Sequence, residues 1–106
     1  MSDEKWSDSE KKVARCVFEA ARLTELAEIM ADFKKRAAAV ADLDEMWSIE
    51  EYLRDKRCGI DRKYDYRYSQ LPMVFGILLR EGRIQETQLL GLAEEKLSYI
   101  RRVASL

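Results

Sequence analysis

Apolar residues recur every seven positions through the first third of the chain: Cys16, Leu23, Met30 and Ala37 form one series, and Leu26, Phe33 and Val40 a second, interrupted only by Glu19. About three heptads of this pattern predict one long amphipathic helix. Ser7 followed by Glu10 is a capping box, so the helix is expected to start at about Asp8 and run to about Ala41. At 1.5 Å per residue it is ~50 Å long, whereas a compact chain of this length is only about 35 Å across. A rod that its own chain cannot cover predicts a second copy as the cover, and hence a homodimer.

Asp42 with Glu45 repeats the capping box and opens a second helix, carried across Gly59 to about Tyr66. Tyr64 to Tyr68 then leads to Ser69, the expected N-cap of a third helix, in which Pro72 falls in the permissive first turn and which Gly82 ends. A fourth helix is expected from about Gln85 to Ala104, packing through Leu89, Leu92, Leu97, Ile100 and Val103. The prediction is an all-α fold in a single domain: a long helical pair at about 8–66 and, apart from it, a C-terminal helical hairpin, or head, at about 69–104, in a dimeric bundle.

The second helix is where the pattern breaks. Met46, Leu53, Ile60 and Tyr64 share one face, with Leu43 and Trp47 on its shoulder, yet Glu50 and Arg57 fall inside it. Seven residues separate the two charges by ~10.5 Å, too far for a bond within one helix. If the helix crosses its symmetry mate, the carboxylate of one chain meets the guanidinium of the other. Met46, Trp47, Glu50, Glu51, Leu53, Arg57 and Ile60 are therefore the candidate dimer interface, with Trp47 as its anchor. A solvated charge pair on a helix edge is the competing reading. The third helix, apolar on almost every side from Leu71 to Leu79, fits either a fully buried hairpin helix or one with a face against a partner. Met73 and Phe75 lie on different faces and are the candidates for that contact.

Composition narrows the chemistry. The 106 residues carry 19 basic and 20 acidic side chains and no histidine. Near-neutrality removes the global electrostatic case for a nucleic-acid partner, and the missing histidine removes Ser-His-Asp hydrolysis and histidine metal sites. Cys16 and Cys58 form no C-x-x-C pair and read as small apolar helix residues. Between Arg54 and Tyr68, six basic residues and three tyrosines resemble a stacking surface, but Asp55, Asp61 and Asp65 interleave them, which fits i,i+4 pairs on a solvated helix better than nucleic-acid contact. No enzyme activity and no cofactor are expected. Met1 to Arg15 lack the apolar core of a secretion signal, and Leu71 to Leu79 falls well short of the ~20 residues of a membrane span. A cytoplasmic protein without a transmembrane segment is expected.

The segment Asp44-Glu45-Met46-Trp47, then Tyr52-Leu53, Lys56-Arg57, Ile60-Asp61, Lys63-Tyr64-Asp65 and Arg67, followed by Val74-Phe75, Leu78-Leu79 and Glu81-Gly82, resembles the fluorescence recovery protein family of cyanobacteria. The resemblance implies an all-helical homodimer that binds the photoactivated orange carotenoid protein, speeds its return to the resting form and promotes its release from the phycobilisome. It also implies that Trp47, Glu51 and Arg57 match the family's dimer-surface cluster, with Glu51 where aspartate is usual. The family's head region, which acts on the carotenoid protein, corresponds to the third helix and the end of the fourth, making Met73, Phe75 and Tyr99 the candidate partner-binding residues. Met73 stands where a phenylalanine is expected, Tyr99 where a lysine is expected, and Glu50 where the pattern can have histidine. A related dimeric module with a different, signalling or stress, protein partner is the alternative.

Overall fold

The computed structural model describes residues 5–106; the first four residues of the segment read for a secretion signal lie outside the described residues. The fold is all-α, with α1 at Asp8–Ala38, α2 at Asp44–Lys63, α3 at Leu71–Arg80, a 3-10 turn at Glu86–Leu89 and α4 at Glu94–Ala104. The chain divides into two compact units. The head takes in the start of α1 as far as Ala21 together with Tyr64–Leu106, and the arm is Arg22–Lys63. The pair α3 and α4, expected to stand apart from the long helices, instead shares its unit with the first turns of α1.

α1 begins where its capping box predicts. The Ser7 hydroxyl accepts from the Glu10 N–H at 3.1 Å, and the Glu10 carboxylate accepts from the Ser7 N–H at 3.0 Å. Asp8 and Glu10 in its first turn and Lys35 and Arg36 in its last complement the helix dipole. Its 31 residues make it about 46 Å long. It stops three residues short of the expected Ala41.

α2 also ends early, at Lys63 rather than Tyr66. The cause is aromatic: Tyr64 and Tyr66 both set their rings edge-on to Phe18, at 5.4 and 4.8 Å between centroids, and Tyr68 lies 5.4 Å from Trp6. Residues at i, i+2 and i+4 reach one side only from an extended backbone, so the chain leaves the helix to place them. The Tyr64 hydroxyl donates to the Ala21 carbonyl at 3.3 Å.

α3 has Gln70, not Ser69, at its N-cap, and no side chain caps it; the turn before it is closed by the N–H groups of Gln70 and Leu71 donating to the Arg67 carbonyl. Pro72 is in the first turn, as expected. Gly82, at φ +76°, ends the helix in a Schellman motif, with the Arg83 N–H on the Leu78 carbonyl at 2.9 Å and the Gly82 N–H on Leu79 at 3.1 Å. α3 and α4 cross closely because position 76 has no side chain: a Cβ there would lie 2.4 Å from Val103 Cβ. Leu71, Val74, Phe75 and Leu78 of α3 are buried, as are Leu89, Leu92, Leu97, Ile100 and Val103, the packing face expected of the last helix.

That last helix is broken, however. The reason is a contact spanning 83 residues: the Ala93 N–H donates to Glu10 Oε2 at 2.7 Å, so α4 starts afresh at Glu94. The same carboxylate receives the Lys96 ammonium, 3.2 Å from each oxygen, and both side chains are buried. Burial raises the Glu10 pKa, but the N–H groups of Ser7 and Ala93 and the Lys96 charge outweigh it and hold the carboxyl below its ordinary value. Among the described residues, no helix is long and apolar enough to cross a membrane.

Candidate functional site

α2 carries the candidate interface. Its start is fixed by the Glu45 carboxylate, which accepts the N–H groups of Ala41 at 2.7 Å and Asp42 at 3.1 Å and is held below its ordinary pKa by them. Immediately after this turn Met46 and Trp47 stand open, with Leu43 before them; Trp47 is 65% exposed. A tryptophan so placed spends nothing on its own fold and is free to anchor a contact.

Farther along, Glu50 and Arg57 do not pair with each other. Glu50 takes Arg54 at 2.7 Å and Arg57 lies 4.0 Å from Asp61, each an exposed i,i+4 pair along the helix. Within one protomer that is the edge-pair arrangement, and Arg57 keeps 85% of its side chain open. Glu51 is exposed. Leu53, Arg57 and Ile60 converge, with Leu26 and Ile29 of α1, on a trough of about 460 Å³ edged by Arg22, Lys56 and Asp61. Ile60 is already buried inside the arm, so its contribution to any contact is to support the trough floor. Met46, Trp47, Glu50 and Glu51 lie outside that trough.

Polar side chains add to these few apolar contacts in joining the two helices of the arm. The Tyr52 hydroxyl donates to Asp32 at 2.6 Å, Arg36 Nε donates to the same oxygen at 2.9 Å, and the Arg36 guanidinium covers the Tyr52 ring at 4.0 Å. These bonds hold the Asp32 carboxyl down and, by the Asp32 contact, push the Tyr52 hydroxyl up. At the other end Lys63 meets Glu25 at 2.8 Å. Sequence reasoning missed this network, since pairs 20 and 38 residues apart leave no local signal.

In the head, Met73 and Tyr99 are each 39% exposed, whereas Phe75 is fully enclosed. Phe75 is therefore a core residue and not an open partner contact: it shares a face of α3 with Leu71, Val74 and Leu78, all buried. Tyr99 lines a cleft of about 260 Å³ with Ser69, Pro72, Glu95, Lys96 and Arg102, and the Arg102 guanidinium lies 5.6 Å from the Tyr99 ring. The segment from Arg54 to Tyr68 is largely spoken for: Tyr64 is buried, Tyr66 and Tyr68 pack on Phe18 and Trp6, and Arg67 grips Asp65 at 2.6 Å. The described residues offer two surfaces, one apolar with scattered charge on the arm and one aromatic and cationic on the head.

Over residues 6–104 the sequence matches the family described as photoprotection regulator fluorescence recovery protein. It is 37% identical over 101 residues to the fluorescence recovery protein of Synechocystis sp. (strain PCC 6803), covering 95% of this chain and 93% of that protein. The fold matches the solved fluorescence recovery protein of Fremyella diplosiphon at a TM-score of 0.89 and 34% identity, and that of Synechocystis at 0.89 and 36%; each covers 96% of this chain and 100% of the other.

Proposed function

The chain belongs to the fluorescence recovery protein family of photoprotection regulators, and we propose that it acts without covalent chemistry, as a cytoplasmic homodimer. In this reading it binds the photoactivated orange carotenoid protein, accelerates its return to the orange form and promotes its release from the phycobilisome. The observation that carries the reading is the family match across nearly the whole chain, joined to an arm on which Leu23, Met30, Leu43, Met46 and Trp47 stand open. No cofactor enters. A protein that binds the transition state for closure of a two-domain receptor more tightly than the open state lowers the barrier, and each ~1.4 kcal/mol of differential binding gives a tenfold rate.

The arm supplies the dimer contact: Met46 and Trp47 as apolar anchors, Leu53 and Ile60 along the trough, and Arg57 with Glu50 and Glu51 as ionic contacts across the two-fold. The head supplies the partner contact through Met73 and Tyr99. The test is the dark recovery of photoconverted carotenoid protein followed by absorbance. Substoichiometric amounts of this chain are expected to accelerate it; an unchanged rate together with absent binding refutes the reading. A second reading, the same dimeric module serving another signalling or stress protein, is favoured by the half exposure of Met73 and Tyr99, the head positions where the resemblance leads one to expect phenylalanine and lysine. A host genome without the carotenoid protein would decide for it.

A further inference from the structure

The residues ahead of α1 are part of the head. The Trp6 ring is buried and packs at a tilt of 41° against Tyr68, and the Lys96 ammonium lies 4.9 Å over it. Lys96 also donates to the Lys5 carbonyl at 2.9 Å and to both oxygens of Glu10. A single α4 side chain thus ties down a carbonyl before α1, a ring before α1 and a carboxylate in its first turn. Glu10 returns the hold on the backbone, through the Ala93 N–H. α4 is pinned twice within its first turn by elements from the far end of the sequence.

The cleft lies farther along α4. Lys96, Tyr99 and Arg102 are spaced i, i+3 and form one ridge of the helix. The ridge starts at a buried, fully engaged lysine and ends at the half-open Tyr99 with Arg102 over its ring, and all three line the same cleft. Rotation of α4 about its axis by even part of a turn would carry Tyr99 out of that cleft. Burying an ion pair contributes little to stability once desolvation is counted, and its best-attested use is to fix register.

We propose that Glu10 and Lys96 are positioning residues for the partner-facing side of α4: together with the segment from Lys5 to Ser7 they set the rotation of α4 that presents Tyr99 and Arg102. This rests on the proposed function only in taking that side as partner-facing; the positioning itself is independent of the partner's identity.

The test uses the full chain. In tyrosine-labelled protein, the ring NMR signals of Tyr99, identified by their loss in Tyr99→Phe, are compared between the wild type and Glu10→Gln. The amide keeps an acceptor for a capping N–H but ends the ion pair. The Tyr99 signals are expected to shift or broaden while those of Tyr52, in the arm, stay in place; unmoved Tyr99 signals overturn the proposal. In the dark-recovery assay with photoactivated orange carotenoid protein, Glu10→Gln is expected to raise the half-maximal concentration roughly 3- to 10-fold, and to add nothing in a Tyr99→Ala background, because coupled residues are not additive. Additive effects mean a merely structural role and overturn it. If Glu10→Gln loses helix content, Lys96→Met replaces it in both arms. A wild-type chain that fails to accelerate recovery sinks the functional reading, while the NMR comparison still decides the positioning.

Discussion

The head and the arm hold similar numbers of helical residues and have opposite economies of burial. The head encloses Leu71, Phe75, Leu78, Leu89 and Ile100 almost completely. In the arm, Ile60 is the one buried hydrophobic side chain among the described residues, while Leu23, Met30, Leu43, Met46 and Trp47 stand exposed. Apolar burial, at about 25 cal/mol per Å², is the main force holding a small domain together, and the arm makes little use of it internally. Its helices are joined by Tyr52, Asp32, Arg36, Lys63 and Glu25. Under the proposed function the two have different tasks: the self-stabilised head holds a surface in shape, and the arm, with its apolar stripe open, is completed by a second copy.

The contrast is sharpest under substitution. Phe75→Ala should destabilise the chain by about 3–5 kcal/mol in chemical denaturation, the cost of emptying a closed aromatic site. Gly76→Ala should cost about 1–3 kcal/mol, because the added methyl meets Val103 and the two helices must part. Trp47→Ala should change protomer stability by no more than about 0.5 kcal/mol, yet weaken self-association tenfold or more in sedimentation, about 1.4 kcal/mol. Arg57→Glu should weaken it likewise by setting like charges together. Equal stability losses for Phe75→Ala and Trp47→Ala would erase the distinction between the units.

Acid tests the buried pair of the head. Because the folded Glu10 carboxyl titrates below its ordinary value, the folded head binds fewer protons than the unfolded chain as the pH drops through the glutamate range. That contribution is complete above the ordinary glutamate pKa and lost as pH falls through the lowered, folded value. Thermal melts of Glu10→Gln should therefore be less pH-dependent between the ordinary and the lowered value than those of the wild type. The smallest effect is expected of Arg54→Ala, which removes an exposed pair with Glu50 worth about 0.3–0.5 kcal/mol.

Much of this was legible in the sequence wherever the determinant lay within a turn or two. The Ser7 and Glu10 box, Pro72 in a first turn, Gly82 as a stop and the packing face from Leu89 to Val103 are local signals, and each is where its spacing predicts. The exposed heptad series of Leu23 and Met30 was legible as well, as a stripe without a cover. The misreadings share one cause. Glu10 was readable as a cap but not as the acceptor of Ala93 and Lys96, so the break in the last helix had no local sign. The second helix was carried on to Tyr66 because nothing nearby in sequence reveals Phe18 beneath the Tyr64 and Tyr66 rings. Helical phase separates Met73 from Phe75, but only the packing of the whole head determines which one is covered.

The order in which the two units are encoded also has a consequence for synthesis. The head is discontinuous, its two pieces flanking the arm, so a growing chain extrudes both arm helices before the residues that close the head exist. Bringing Glu10 to Lys96 requires closure of a loop that contains the whole arm, a contact of high sequence separation, which is slow to find and costly in entropy. The nascent polypeptide thus carries its open limb before its rigid end can close, and a chain cut off before α4 would keep that limb while Glu10 waits without Lys96.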